Sequence, residues 1–338
     1  MKKVFTVLMI ALSIMQLYAQ QTEIRRSEYR SMDDDGNFIN VVQLEIGGRY
    51  FYDIDENTHT AIFKRWYGRE NDTELIIPSS IDYNGVTYKI VALGDDVGNQ
   101  NEKLEKVIIP EGVTRIKGFA YCHGLKNITI PSSVKEIGSN AFRDCIELEN
   151  IVLPEGLSTL GYRAFYNCVK LKSIVIPSSV ARIESGVFYN CQQLSSITIP
   201  STISEIGEEV FYNCVSLKTI NLNEGLISIG KGAFSDCTAL TGILLPDNLT
   251  SIGENAFYGC DGLTSVTLPS SLTSIGNRAF PFYCQEIRSY IRNPSKCELT
   301  SEPFVYAISR LYVPKGTTSL YETCENWKEF FSITEMDD

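Results

Sequence analysis

Eight phenylalanines, Phe119, Phe142, Phe165, Phe188, Phe211, Phe234, Phe257 and Phe280, are spaced by 23 residues every time, and they are half of the sixteen in the chain. A cysteine follows each of the first seven by three positions: Cys122, Cys145, Cys168, Cys191, Cys214, Cys237 and Cys260. Cys284 follows Phe280 by four, which marks a one-residue insertion. A third column holds Pro131, Pro154, Pro177, Pro200, Pro246 and Pro269, with Asn223 where another proline is expected. A fourth pairs Ile or Leu with Gly, as in Ile137-Gly138, Leu160-Gly161, Ile206-Gly207, Ile229-Gly230, Ile252-Gly253 and Ile275-Gly276. A unit this short cannot bury its own apolar side, so the period demands stacked coils that complete one another's core.

One coil can be drawn from its residues. The run before each proline alternates apolar, small, apolar, as in Ile128-Thr129-Ile130, which is the pattern of a half-buried strand. Proline then costs no ladder hydrogen bond, because the chain is leaving the sheet. Val134 and Ile137 turn inward on a second short strand, Gly138 permits the bend, and Asn140-Ala141-Phe142 is expected to begin one helical turn ending at Cys145. Neighbouring coils would lie about 4.8 Å apart.

The run Leu-x-x-Ile-x-Ile-Pro-Ser-Ser-Val-x-x-Ile-Gly-x-x-Ala-Phe-x-x-Cys, met almost fully over 125–145, 171–191, 194–214 and 263–280, resembles the BspA-like leucine-rich repeat family of bacterial surface and secreted proteins. Gly47–Ile54 with Thr60–Phe63 resembles that family's N-terminal hairpin, and Leu311–Gly316 with Trp327 its closing segment. The resemblance covers roughly residues 40–338. It implies an α/β repeat solenoid, a right-handed coil stack with short parallel strands and one helical turn per coil, capped at both ends.

The organisation expected is a signal peptide at 1–19, a mobile linker at 20–40 containing Asp33-Asp34-Asp35-Gly36, a β-rich N-terminal cap with an irregular first coil at 41–100, the solenoid at 101–284 and a C-terminal cap at 285–338. The signal-peptide reading rests on Lys2 and Lys3, the apolar run Val4–Leu17 and the small Ala19 before Gln20. Export follows from it, and no later stretch is apolar for long enough to span a bilayer. The net charge of −11, from 30 Lys and Arg against 41 Asp and Glu, argues against nucleic acid as a partner, since phosphate backbones are held by clustered cations.

Chemistry-bearing patterns are few. Cysteines stacked in parallel would have Cβ atoms about 4.8 Å apart, too wide for a disulfide, so the column reads as unpaired core thiols. Cys284, Cys297 and Cys324 stand outside it, with room for one bridge among them. Gly225, Gly230 and Lys231 mimic a phosphate loop, but Gly232 replaces the required Ser or Thr. Asp53, Asp55 and Asn57 mimic the start of a calcium loop, yet Thr58 and Lys64 fail its sixth and twelfth places. Cys122-His123 is adjacent only along the chain. No catalytic, cofactor-binding or metal-ligating set emerges, and no cofactor is expected.

The outward columns carry more. On the strands these are Thr129, Val152, Val175, Thr198, Asn221, Leu244 and Thr267, beside Lys126, Lys172 and Lys218. After the phenylalanines come Tyr166, Tyr189, Tyr212 and Tyr258, with Ser235 interrupting them. These four tyrosines are the candidate partner-binding residues, because tyrosine offers contact area at little entropic cost. The expected function is that of an exported, monomeric, non-enzymatic binding protein, recognising a protein at the cell surface or outside it. The family resemblance implies adhesion to host matrix or to other cells. A glycan-binding role linked to carbohydrate uptake and a structural envelope role are the alternatives.

Overall fold

The computed structural model describes residues 23–32, 38–69, 72–98, 100–300, 302–304, 309–325 and 327–337. The expected signal peptide and the Asp33–Gly36 run lie outside the described residues. The chain forms a β-solenoid of about ten turns around one continuous core. Most coils contribute a short strand or a single bridge to two parallel stacks.

The first stack includes Glu74–Ile76, Lys106–Ile108, Asn127–Thr129, Ser173–Val175, Ser196–Thr198, Ser265–Leu268, Glu286–Ser289, Arg310–Val313 and Ser332–Glu335. Single bridges at Asn150–Ser173 and Thr198–Asn221 extend its pairing. The second stack runs through two-residue strands such as Arg115–Ile116, Glu136–Ile137, Thr159–Leu160, Glu205–Ile206, Ser228–Ile229 and Ser251–Ile252. Register follows the repeat: Ile174 pairs Ile197, and Ile229 pairs Ile252.

The phenylalanine column is a stack of parallel rings, with centroids 5.2–5.7 Å apart from Phe119 to Phe280. Phe304 adds a ninth ring at 5.2 Å, 24 residues after Phe280, so the stack passes the insertion and meets Trp327 at 5.9 Å. Each column thiol donates to the backbone carbonyl of the preceding coil, as Cys191 Sγ does to Phe165 O at 3.3 Å and Cys260 Sγ to Phe234 O at 3.0 Å. All ten cysteines stand unpaired.

The segment expected to be a helical turn is not helical. Asn140 and Asp144 both have positive φ (57° and 58°), as do Arg163 and Asn167 (53° and 58°), and two such residues per coil break an α-helix at both ends. Between them the amides of Asn140, Phe142 and Asp144 donate forward to the carbonyls of Tyr162, Ala164 and Tyr166 in the next coil. This turn face is therefore a third side of the coil, held between coils as a strand is. The single α-helix among the described residues is Thr318–Thr323.

The column glycines also do something other than expected. Gly253 and Gly276 are not left-handed, but a Cβ on Gly253 would lie 2.6 Å from Gly230 C, and one on Gly276 2.3 Å from Glu254 N. They are there for close approach of backbone between coils.

Residues 24–32, read from sequence as linker, form a strand paired antiparallel with Phe38–Ile46 from Ile24–Ile46 to Met32–Phe38. The sheet continues through Tyr50–Asp55 and Thr60–Trp66, and the last of these runs parallel to Val86–Asp96 at the start of the solenoid. Ile24–Met32 lacks apolar alternation because it is an outer strand held by polar partners, with Tyr29 Oη donating to Asp53 at 2.9 Å. Charged outer strands of this kind resist edge-to-edge pairing.

Candidate functional site

Tyr166, Tyr189 and Tyr212 come together as a stack on the turn face. Ring centroids are 4.6 Å apart between the first two and 4.5 Å between the second two, with planes within 13°. All three are half-buried, and the ring faces between them are spent on one another. Tyr258 stands apart beyond Ser235 and is 48% exposed. Burial and the neighbouring Tyr166 push the Tyr189 phenol up. Burial, and after it a hydrogen bond to Asp236, push Tyr212 up to about 12.

Two features of this face were missed from the sequence. The first is an amide ladder beside the rings: Asn167 Nδ2 donates to Asp144 Oδ1, Asn190 to Asn167 and Asn213 to Asn190. Its signal was a column of Asp and Asn two places after Phe, the residue types that best tolerate positive φ. The second is a pair of arginines at the start of the stack. The Arg143 guanidinium lies 4.9 Å from the Tyr166 centroid and 5.5 Å from that of Tyr121, and Arg163 lies 5.1 Å from Tyr166. Arg143 occupies in its own coil the place that tyrosine fills in the next three, so repeat alignment could have found it. Further along, Phe282 and Tyr283 are more than half exposed, on the insertion that moves Cys284 out of register.

The strand face is less coherent. Val152, Val175 and Leu244 project outward, 82%, 63% and 83% exposed, among Thr129, Thr198, Asn221 and Thr267. Lys126 and Lys172 are engaged by Glu105 and Glu149 one coil back, at 3.0 and 2.6 Å. A cleft of about 490 Å³ opens near its C-terminal end, between Asp247, Thr267, Tyr290 and Arg292. On the second stack, Ser228, Ser251 and Ser274 line an open groove of about 780 Å³.

The other patterns resolve into structure. Cys122 is buried, its thiol donates to Gly98 O at 2.8 Å, and burial pushes it up to about 12, whereas His123 faces outward toward Glu102. Gly230 and Lys231 follow a strand, and Lys231 Nζ pairs with Glu254 at 3.0 Å. Asp55 accepts from the amides of Asn57 and Thr58, closing a hairpin turn. Among the described residues no group of three or more His, Cys, Asp or Glu is placed to hold a metal ion, and no helix is long and apolar enough to cross a membrane.

Comparison with solved structures places this geometry among bacterial repeat proteins. A leucine-rich repeat protein from Bacteroides ovatus superposes with a TM-score of 0.72 at 24% identity, covering 85% of this chain and 75% of that one. The T. pallidum leucine-rich repeat protein gives 0.52 at 28% identity, covering 57% of this chain and 88% of its own. No curated protein matches. A family model described as the BspA type leucine-rich repeat region matches residues 91–218 and 205–326 in six copies. That match spans more than two thirds of the chain, so the chain belongs to the BspA-type leucine-rich repeat family.

Proposed function

We propose that this chain is an exported, monomeric, non-enzymatic protein whose turn face binds a protein partner at the cell surface or beyond it. The observation that carries this reading is the stack of Tyr166, Tyr189 and Tyr212 on a rigid hydrogen-bonded backbone. Side chains pre-ordered in this way lose little freedom on binding. Repeat scaffolds commonly present such long surfaces to macromolecules. The thiols are tied to backbone carbonyls and Lys231 to a carboxylate, so neither supplies a free nucleophile or phosphate anchor. Adhesion to host matrix or to other cells is the biological role proposed.

The stack also bears on the glycan alternative. Sugars pack on ring faces, and the faces within this stack are occupied by neighbouring rings. A glycan reading draws instead on more exposed rings, such as Phe282, Tyr283, Tyr258 and Tyr290.

The test replaces Tyr189 and Tyr212 by Ser, the residue the chain itself uses at 235. Immobilised matrix proteins and a glycan array are screened with both forms, and melting temperature is followed in parallel. Loss of protein binding with little change in melting temperature is expected. Unchanged affinity in a variant that keeps its melting temperature removes the turn face from the binding surface.

A further inference from the structure

Charges along the strand face are paired across coils at three places. Lys106 meets Glu74 at 2.6 Å, Lys126 meets Glu105 at 3.0 Å and Lys172 meets Glu149 at 2.6 Å. The cleft near the C-terminal end departs from this. Asp247 and Arg292 both line it and both are exposed. Among the described residues neither makes an ion pair or a side-chain hydrogen bond.

The sequence accounts for the departure. Asp247 directly follows Pro246, the place that Glu111 takes after Pro110. Glu111 reaches the next coil, where it accepts from the amides of Ser132 and Ser133 at 3.2 and 3.3 Å and from the Ser132 hydroxyl. Asp247 is one methylene shorter and takes no such bond from Ser270 or Ser271, whose hydroxyl goes to Leu249 O at 2.6 Å. On the other wall, Leu268 pairs with Ser289, so Tyr290 takes the place after the strand that Pro269 fills one coil earlier. The column of small flat rings ends there in a large one, 53% exposed. Arg292 lies two residues on. Its coil is two beyond that of Asp247, about 9–10 Å along the stack, and the two charges do not close on each other.

The groups that line the cleft define what fills it. Asp247 can only accept hydrogen bonds and Arg292 can only donate them, while Thr267 and Ser270 between them do both. An apolar guest would strip water from both charges and return nothing. A guest with full charges of its own would lean on exposed ion pairs, which contribute little in water. Hydroxyl groups both donate and accept, so a polyol satisfies Asp247 and Arg292 at once. The Tyr290 ring asks for something more, an apolar face that lies flat on it. A pyranose ring has both, hydroxyls around its rim and C–H bonds on its face. The volume, about 490 Å³, is that of a small-ligand pocket.

We propose that this corner of the strand face binds a neutral oligosaccharide, with one pyranose ring on Tyr290 whose hydroxyls donate to Asp247 and accept from Arg292. This is a second site, on a different face from the tyrosine stack, and it stands whether or not the turn face binds a protein.

The test titrates the intact protein, with its tyrosine rings isotope-labelled, and follows both the rings and the added probe by NMR. The probes are maltohexaose, mannohexaose and xylohexaose, which are fragments of polysaccharides, and a neutral complex-type glycan released from a glycoprotein. Trigalacturonate and glycylglycine serve as charged contrasts. At least one neutral probe should shift the Tyr290 ring signal, and which of them does so separates a polysaccharide from a glycosylated surface as the source of the ligand. Tyr290→Ala should weaken that probe about tenfold or more, as truncating an aromatic anchor does. Asp247→Ala should weaken it about tenfold, through loss of hydrogen bonds to a charged group. Both positions are exposed, so the melting temperature should hold in each variant. No response to any neutral probe overturns the site, as does a stronger response to trigalacturonate or glycylglycine than to all of them. Full affinity in Tyr290→Ala overturns it too. Shifts at Tyr166, Tyr189 or Tyr212 without one at Tyr290 would move saccharide binding to the turn face and remove this site.

Discussion

At the residue scale the cysteine column shows how burial disarms a reactive group. A thiol attacks disulfides and oxidants as its thiolate, and burial pushes Cys145, Cys168, Cys191 and Cys214 well above the ordinary thiol value. Each proton is also committed to a carbonyl one coil back. Alkylation under non-reducing conditions should therefore reach the half-buried Cys324 first and the column only on unfolding. Labelling of Cys191 in the native protein at the rate of Cys324 would contradict this. Cys191→Ala removes a hydrogen bond and opens a small void, and should cost about 1–3 kcal/mol by chemical denaturation. The pH dependence has a definite sign. Above the unfolded thiol value of 9.0 the unfolded chain loses protons that the folded chain holds, up to about 12 for Cys122, Cys284 and Cys297. Stability is thus complete below pH 9.0 and falls as pH rises toward 12. A flat alkaline profile would count against it.

At the scale of the element, what could be read from sequence depended on whether a position's neighbour lay in the same coil or in the next. The strands before Pro131, Pro177, Pro200 and Pro269 were legible because apolar alternation reports burial within a single coil. Even the exception at Asn223 is explained there, since its Nδ2 donates to Pro200 O and Ile203 O at 3.0 and 2.9 Å. The turn was misread because Asn140-Ala141-Phe142 has helix-like local spacing, while its conformation is fixed by Tyr162, Ala164 and Tyr166 a full repeat away. The Tyr column was visible, but its stacking and the arginines at its start were not, for the same reason. A consequence is that the coil, not the strand or turn, is the unit that can be removed. Deleting residues 171–193, one whole repeat, should keep the far-ultraviolet circular dichroism shape and most of the melting temperature. Deleting ten residues within it should abolish cooperative unfolding. Equal damage from both would argue against inter-coil register as the organising force.

Over the whole molecule, one buried cluster runs from Leu44 to Phe330 without a gap. The antiparallel strands at the N-terminal end join it through Thr60–Trp66, and the C-terminal helix joins it through Tyr321, whose hydroxyl donates to Ile291 O and meets Ser289 Oγ. Thermal unfolding should be one transition, monitored alike by Trp66 and Trp327 at opposite ends of the chain, and two separated transitions would refute a single cooperative body. A surface that repeats every coil has no address: a partner could settle in several equivalent positions, shifted by one repeat, and would be held in none of them uniquely. The interruption at Ser235 and Asp236 removes that degeneracy, because it occurs once along the Tyr column. It gives the rod an origin from which distance along the molecule can be measured.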